Sequence, residues 1–207
     1  MPQLIGQHDK VIISCTDVEE DGYISSTSEN ITIEELIDDN VVKVTIYTFS
    51  DNKGMIVVER HGISIANFNF DVLSAQHTLV QAFMLQNRAV AQITSALVND
   101  AFRGYGISRA CYSLLSRQYV VCSDEKQTLD GAALWYFNIP KIDGITMHIV
   151  YRYDKPDYMI DEWASQKAWS GDNALVNFAL DSGIPATCDE DHSKTVFVAV
   201  PNFYPFS

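Results

Sequence analysis

A chain of 207 residues with 47% apolar side chains can bury a sizeable core, which excludes a disordered chain and fits one domain. It carries 27 acidic against 14 basic side chains, a formal net charge of −13. Such a surface repels nucleic acid and anionic membranes at long range, so neither is expected as a partner. It favours a basic protein partner or an amine substrate, and it serves plain solubility equally well. No run of 18 apolar residues predicts a membrane span. The opening MPQLIGQHDK lacks the apolar core of a secretory signal. Cys15, Cys111, Cys122 and Cys188 are widely spaced with no C-x-x-C, and Cys111 and Cys122 lie in apolar stretches. A reducing cytoplasm is therefore expected.

In chain order, KVIISC (10–15) reads as a short buried strand. TIEELI opens with Thr32 and has Glu35 three residues on, a capping-box pattern that predicts a short helix. VVKVTIYTF (41–49) alternates and is rich in β-branched residues, so it reads as a strand. DNKG then turns the chain and MIVVER (55–60) pairs back; HGISIANFNF fits either strand or loop. TLVQAFMLQ and AVAQITSALV flank Asn87-Arg88, which predicts a hairpin with a two-residue turn. Ile107, Ala110, Cys111, Leu114 and Leu115 fall on one helical face, with Ser108, Arg109, Ser113, Ser116 and Arg117 opposite. YVVCSD (119–124) follows at once as an apolar strand, which predicts a right-handed parallel crossover. Thr128 caps a second helix, LDGAALWYF, ending before Pro140, and ITMHIVYRY (145–153) is a strand. An acidic segment follows, with a helical pattern in DYMIDEWASQKAW, and TVFVAV (195–200) closes as a strand pairing with 145–153. The expectation is one α/β domain over residues 1–207 with a mixed sheet.

The stretch VNDAFRGYGISRACYSLLSRQY (98–119) carries the chemistry. A strand, a glycine-bearing loop and a helix start form a natural anion site, because the first amides of a helix lack partners and sit at the positive end of its dipole. Glycine lets a phosphate approach the backbone, and Arg103 and Arg109 add positive charge. The run Arg103-Gly104-Tyr105-Gly106-Ile107-Ser108 resembles the R/Q-x-x-G-x-G/A signature of the GNAT superfamily of N-acetyltransferases, most closely its divergent bacteriophage-encoded members. The likeness spans roughly residues 78 to 153 plus the last strand. It departs from the pattern at Ser108, where the family has glycine or alanine.

This resemblance implies a largely antiparallel mixed sheet with a central splayed β-strand and flanking helices. It implies acetyl-CoA, or another acyl-CoA, as donor. Leu97 and Val98 would pair with the pantetheine arm, and the stretch Arg103, Gly104, Tyr105, Gly106, Ile107, Ser108 and Arg109 would hold the pyrophosphate. Trp135 stands where many members carry a general-acid tyrosine, so the neighbouring Tyr136 becomes the candidate acid. Asp124, at a strand's C-terminal end, is the candidate base or amine anchor, and Glu59 and His61 are further titratable candidates. Residues 154–194 would be an insertion between the last two strands. DEDH (189–192) holds metal-ligand types, but consecutive loop residues diverge, and no metal is expected. Two functions follow: an N-acyltransferase acting on an amine, or a non-catalytic acidic protein of the same fold that binds and inhibits another enzyme. A homodimer is compatible with either.

Overall fold

One mixed, mostly antiparallel open sheet organises the chain. The structure is a computed structural model and describes residues 12–36, 39–82, 89–124, 131, 134–151, 159–160 and 196–202. Its strands are β1 (Ser25–Thr32), β2 (Val41–Thr48), β3 (Lys53–Arg60), β4 (Ile63–Leu73), β5 (Val90–Val98), β6 (Val120–Cys122), β7 (Ile145–Tyr151), β8 (Met159–Ile160) and β9 (Val196–Pro201). They lie in the order β1-β2-β3-β4-β5-β6-β9-β7-β8. Every neighbouring pair is antiparallel except β5 and β6, which are parallel. Helices are few: α1 (Cys15–Asp21), α2 (Thr78–Ala82) and α3 (Ile107–Ser116). None of the described helices is long and apolar enough to cross a membrane.

Strand alternation divides the core between two faces. Ile46, Ile56, Val58, Phe68, Phe70 and Ile93 pack towards Ile107, Cys111, Tyr112, Leu114 and Leu115 of α3. Each such large aliphatic or aromatic side chain contributes roughly 1.5–3 kcal/mol by leaving water, which outweighs anything intrinsic propensity gives a ten-residue helix. Tyr47 and Val57 point to the other face, where Cys15 and Val18 of α1 cover them. Further along that face, Leu79 and Val80 of α2 pack on Val90, Val120, Cys122 and Val198. Phe68, Tyr112, Trp135 and Phe197 form a run of ring contacts linking β4, α3, the turn at Leu134–Asn138 and β9.

The crossover from β5 through α3 to a parallel β6 agrees with the sequence reading, as do β2, β3, β7 and β9. The ambiguous 61–70 segment lies within a hairpin and strand: His61 and Gly62, at φ 53° and 73°, make the two-residue turn that the right-handed twist of paired strands favours. Three expectations fail. Thr78–Ala82 is a helix and not a hairpin strand, and β5 takes β4 as its antiparallel partner. The α2 turn is started locally, with His77 Nδ1 accepting from the Leu79 amide at 3.3 Å. Cys15 begins a helix and not the end of a strand, because Ser14 and Asp17 form a reciprocal capping box. Thr32 caps nothing: it ends β1, and the Ile33 amide donates to Asn40 O at 2.9 Å, extending the ladder past it. The Thr128 cap and residues 154–194, apart from β8, lie outside the described residues. Leu134–Asn138 forms a π-helical turn that runs into a 3₁₀ turn at Ile139–Lys141.

Cys111 and Cys122 are fully buried, and burial pushes both thiols far above their ordinary pKa. Both are therefore expected to resist iodoacetamide in the native protein, as read by peptide mass spectrometry, and to react fully once it is denatured. Alkylation of either within minutes under native conditions would contradict this packing.

Candidate functional site

The site begins where two strands part. β5 and β6 pair only from Val90–Val120 to Gln92–Cys122. In β5 the register against β4 then slips, with Ser95 opposite Asn69 but Ile93 opposite Phe70, so Thr94 is the extra residue of a β-bulge. A bulge bends its strand and frees backbone groups from the ladder, and bulges are over-represented beside functional sites. β6 meanwhile leans towards β9. The Ser123 amide donates to Phe197 O and the Phe197 amide to Ser123 Oγ, both at 2.9 Å. Gln92 Nε2 bridges the fork by donating to Ser123 O at 3.2 Å. Beyond it, the side of β5 facing away from β4 meets no strand among the described residues, and Thr94, Ser95 and Ala96 are exposed. Leu97 and Val98 continue this free edge, half-buried, opposite Asn67 and Ala66.

The loop after β5 is tightly tied. Asn99 donates its amide to Ile65 O at 2.9 Å, and its side chain accepts from the Ala101 amide at 3.0 Å. Phe102 packs onto the core beneath the Arg60 guanidinium, which lies 5.8 Å from the ring centroid. Arg103 turns back: its Nε donates to Val98 O at 3.3 Å and its guanidinium pairs with Asp100 at 2.9 Å. It braces the loop against the strand end. Gly104 and Gly106 sit at φ 83° and 74°, a left-handed backbone that side-chain-bearing residues adopt only with strain. Gly106 is the N-cap of α3 and supplies no capping side chain. Among the described residues, the amides of Tyr105 through Arg109 donate to no carbonyl or side chain. Ile107 contributes only its amide, because its side chain is core; Ser108 is half-buried, and Tyr105 packs against the core edge.

One residue at this loop lies outside those that the sequence pattern singles out for it. Glu35, in the turn after β1, pairs with Arg109 at 2.5 Å. Its carboxylate oxygens lie 3.4 Å from where a Cβ on Gly106 would stand. A backbone hydrogen bond within Glu35 itself and the Arg109 guanidinium hold this carboxyl below the usual glutamate range. Glu35 is 74 positions from Arg109, so no local pattern could reveal the contact.

Asp124 is half-buried, two residues past the last β6 pair and level in register with the Thr94 bulge. From that level to Val98 is four residues of β5, about 13 Å of strand. Trp135 is 4% exposed and stacks on Tyr112 at 5.3 Å and Phe197 at 6.1 Å, which makes it a packing residue. Tyr136 lies in the same turn, and its side chain falls outside the described residues. Glu59 pairs with Lys43 at 3.4 Å on the neighbouring strand, and His61 tops the hairpin 3.6 Å from Asp39, so neither joins the fork. An open cavity of about 970 Å³ lies across the sheet from α3, with Thr94, Asn69, Asp71, Met55 and Tyr23 in its wall. Among the described residues no three metal-ligating side chains converge, and the DEDH run lies outside them.

No protein-family model, curated protein or solved structure matches the chain.

Proposed function

We propose that the chain is an acyl-CoA-dependent N-acyltransferase of the GNAT type. The observation that carries this reading is the bulged β5, which leaves a parallel β6 at Gln92 and ends on a loop at the head of α3 whose amides meet no acceptor among the described residues. A diphosphate needs several converging donors, and the amides from Tyr105 to Arg109 offer them without sequence-specific side chains or a metal. The edge of β5 from Thr94 to Val98, which meets no further strand among the described residues, gives an extended amide-bearing arm a strand to pair with, as an added strand does at any sheet edge. Its length carries the acyl group back to the fork, where Asp124 stands.

Transfer forms the new C–N bond as the C–S bond breaks. The amine must lose a proton and the leaving thiolate must gain one. Asp124 fits the first role, as proton acceptor or as anchor for the ammonium, and Tyr136 is the candidate for the second. The acceptor approaches from the open cavity behind Thr94, and the net charge of −13 favours an amine or a basic protein.

Calorimetry with coenzyme A tests this directly. The wild type binds it, and Gly106→Trp, checked for its fold by circular dichroism, does not. Asp124→Asn keeps the coenzyme affinity but slows transfer to an amine by about 10²-fold or more. Absence of binding at millimolar coenzyme, in the wild type and in Glu35→Gln alike, overturns the reading.

A second reading is favoured by the burial of Trp135 and the Glu35 carboxylate over Gly106: an acidic protein of this fold that binds and inhibits a basic partner without catalysis. A stoichiometric partner retained by Gly106→Trp supports it over the enzyme.

A further inference from the structure

Two ion pairs fasten the segment around the end of β1 to α3. Glu29 of β1 pairs with Arg117 at 2.8 Å, just past the helix, and Glu35 pairs with Arg109 in its first turn. Arg109 and Arg117 are eight residues apart, so the strap spans about 12 Å of helix. Ile33 and Leu36 are buried in the core cluster beneath it, which anchors the turn while leaving the Glu35 side chain at the surface. The Glu35 carboxylate thus stands beside Gly106 and Arg109, 3.4 Å from where a Gly106 Cβ would be. A carboxylate and a phosphate oxygen carry the same sign, accept from the same donors and pair with the same guanidinium. They cannot share the place.

We propose that Glu35 is a built-in competitor for the anion bound at this loop: it holds the Arg109 guanidinium in the free protein, and the donor must displace it to take over Arg109. This rests on the acyl-CoA reading above. The device sets donor affinity, because part of the binding free energy goes into breaking the Glu35–Arg109 contact. A partner or modification that draws the β1 segment away would raise that affinity, since two events that displace the same contact assist one another. Arg109 serves both states, neutralising Glu35 when the loop is empty and the phosphate when it is filled.

The test is coenzyme A affinity by calorimetry for the wild type, Glu35→Gln, Glu35→Asp and Glu20→Gln. Glu20 lies on α1, across the sheet, and its substitution makes the same change of net charge far from the loop. Glu35→Gln is expected to bind coenzyme A about tenfold more tightly, an effect of the size usual for coupled sites. Glu20→Gln is expected to stay within about twofold of wild type, as charges more than a Debye length away are screened. Glu35→Asp, one methylene shorter, falls between, and it stands in for Glu35→Gln should that variant misfold. Coenzyme A binding to the wild type with Glu35→Gln no tighter overturns the competitor and leaves the acyl-CoA reading standing. Binding to Glu35→Gln but not to the wild type supports the competitor in its strongest form. Binding to neither overturns both.

Discussion

Trp135→Ala is expected to cost about 4 kcal/mol, at the upper end for truncating a buried aromatic. The ring is almost fully buried and lies between Tyr112 of α3 and Phe197 of β9. Removing it opens a cavity that both neighbours border. Neither can collapse into it easily, because Tyr112 is edge-on to Phe68 and Phe197 belongs to an interior strand. For a chain of this length the loss lowers the melting temperature by about 10 °C or more. Urea titration followed by far-UV circular dichroism checks the figure. A loss under about 1 kcal/mol would mean that the stack does not hold the turn at Leu134–Asn138. The result bears on function, since Trp135 occupies the position at which the resemblance places an acid. An indole N–H is too weak an acid to give up a proton near neutral pH, so Trp135 serves packing, and on the acyltransferase reading an acid would have to be another residue.

Gly54→Ala is the second large effect. Gly54 of β3 faces Phe70 of β4 in register, and the phenyl ring lies across it. A Cβ there would stand 2.0 Å from Phe70 Cζ. The ring is fully buried and tilts against Tyr119 at 5.6 Å, so it has nowhere to swing. The overpacking is expected to cost about 3 kcal/mol. Pairing it with Phe70→Leu should restore more than 1 kcal/mol relative to the sum of the single changes, since the two residues touch. Strict additivity in that double-mutant cycle would show that the ring does not cover the glycine.

Much of this was legible in the sequence because it was local. The α3 face from Ile107 to Leu115 follows from helical spacing, and its short link to Val120 dictates a parallel return. The glycines at 104 and 106 announce a left-handed loop, and both are left-handed. One misreading was avoidable, since Ser14 with Asp17 is a capping pair, and the segment left open between strand and loop could have been decided by His61-Gly62, a hairpin turn. The remaining errors have no local cause. Thr78–Ala82 carries strand-forming residues, but Leu79 and Val80 gain more by covering Val120 and Val198 than by pairing. Thr32 and Glu35 have the spacing of a helix cap, yet Thr32 is held by Val41 and Glu35 by Arg109. The bulge at Thr94 depends on the register of β4, which no single strand reveals. The loop was therefore foreseeable from its own residues, whereas Glu35 beside it was not.

The position of β9 has a consequence for biosynthesis. It lies between β6 and β7, both of which precede it in the chain. As the polypeptide leaves the ribosome, β6 and β7 emerge with a slot between them and no strand to fill it. Each then shows the solvent an apolar edge, Val120 to Cys122 on one side and Ile145 to Val150 on the other, until residues 196–201 arrive. The nascent chain is vulnerable to aggregation and attractive to chaperones throughout that interval. Insertion of β9 locks the aromatic stack, through Phe197, in the same step that completes the sheet.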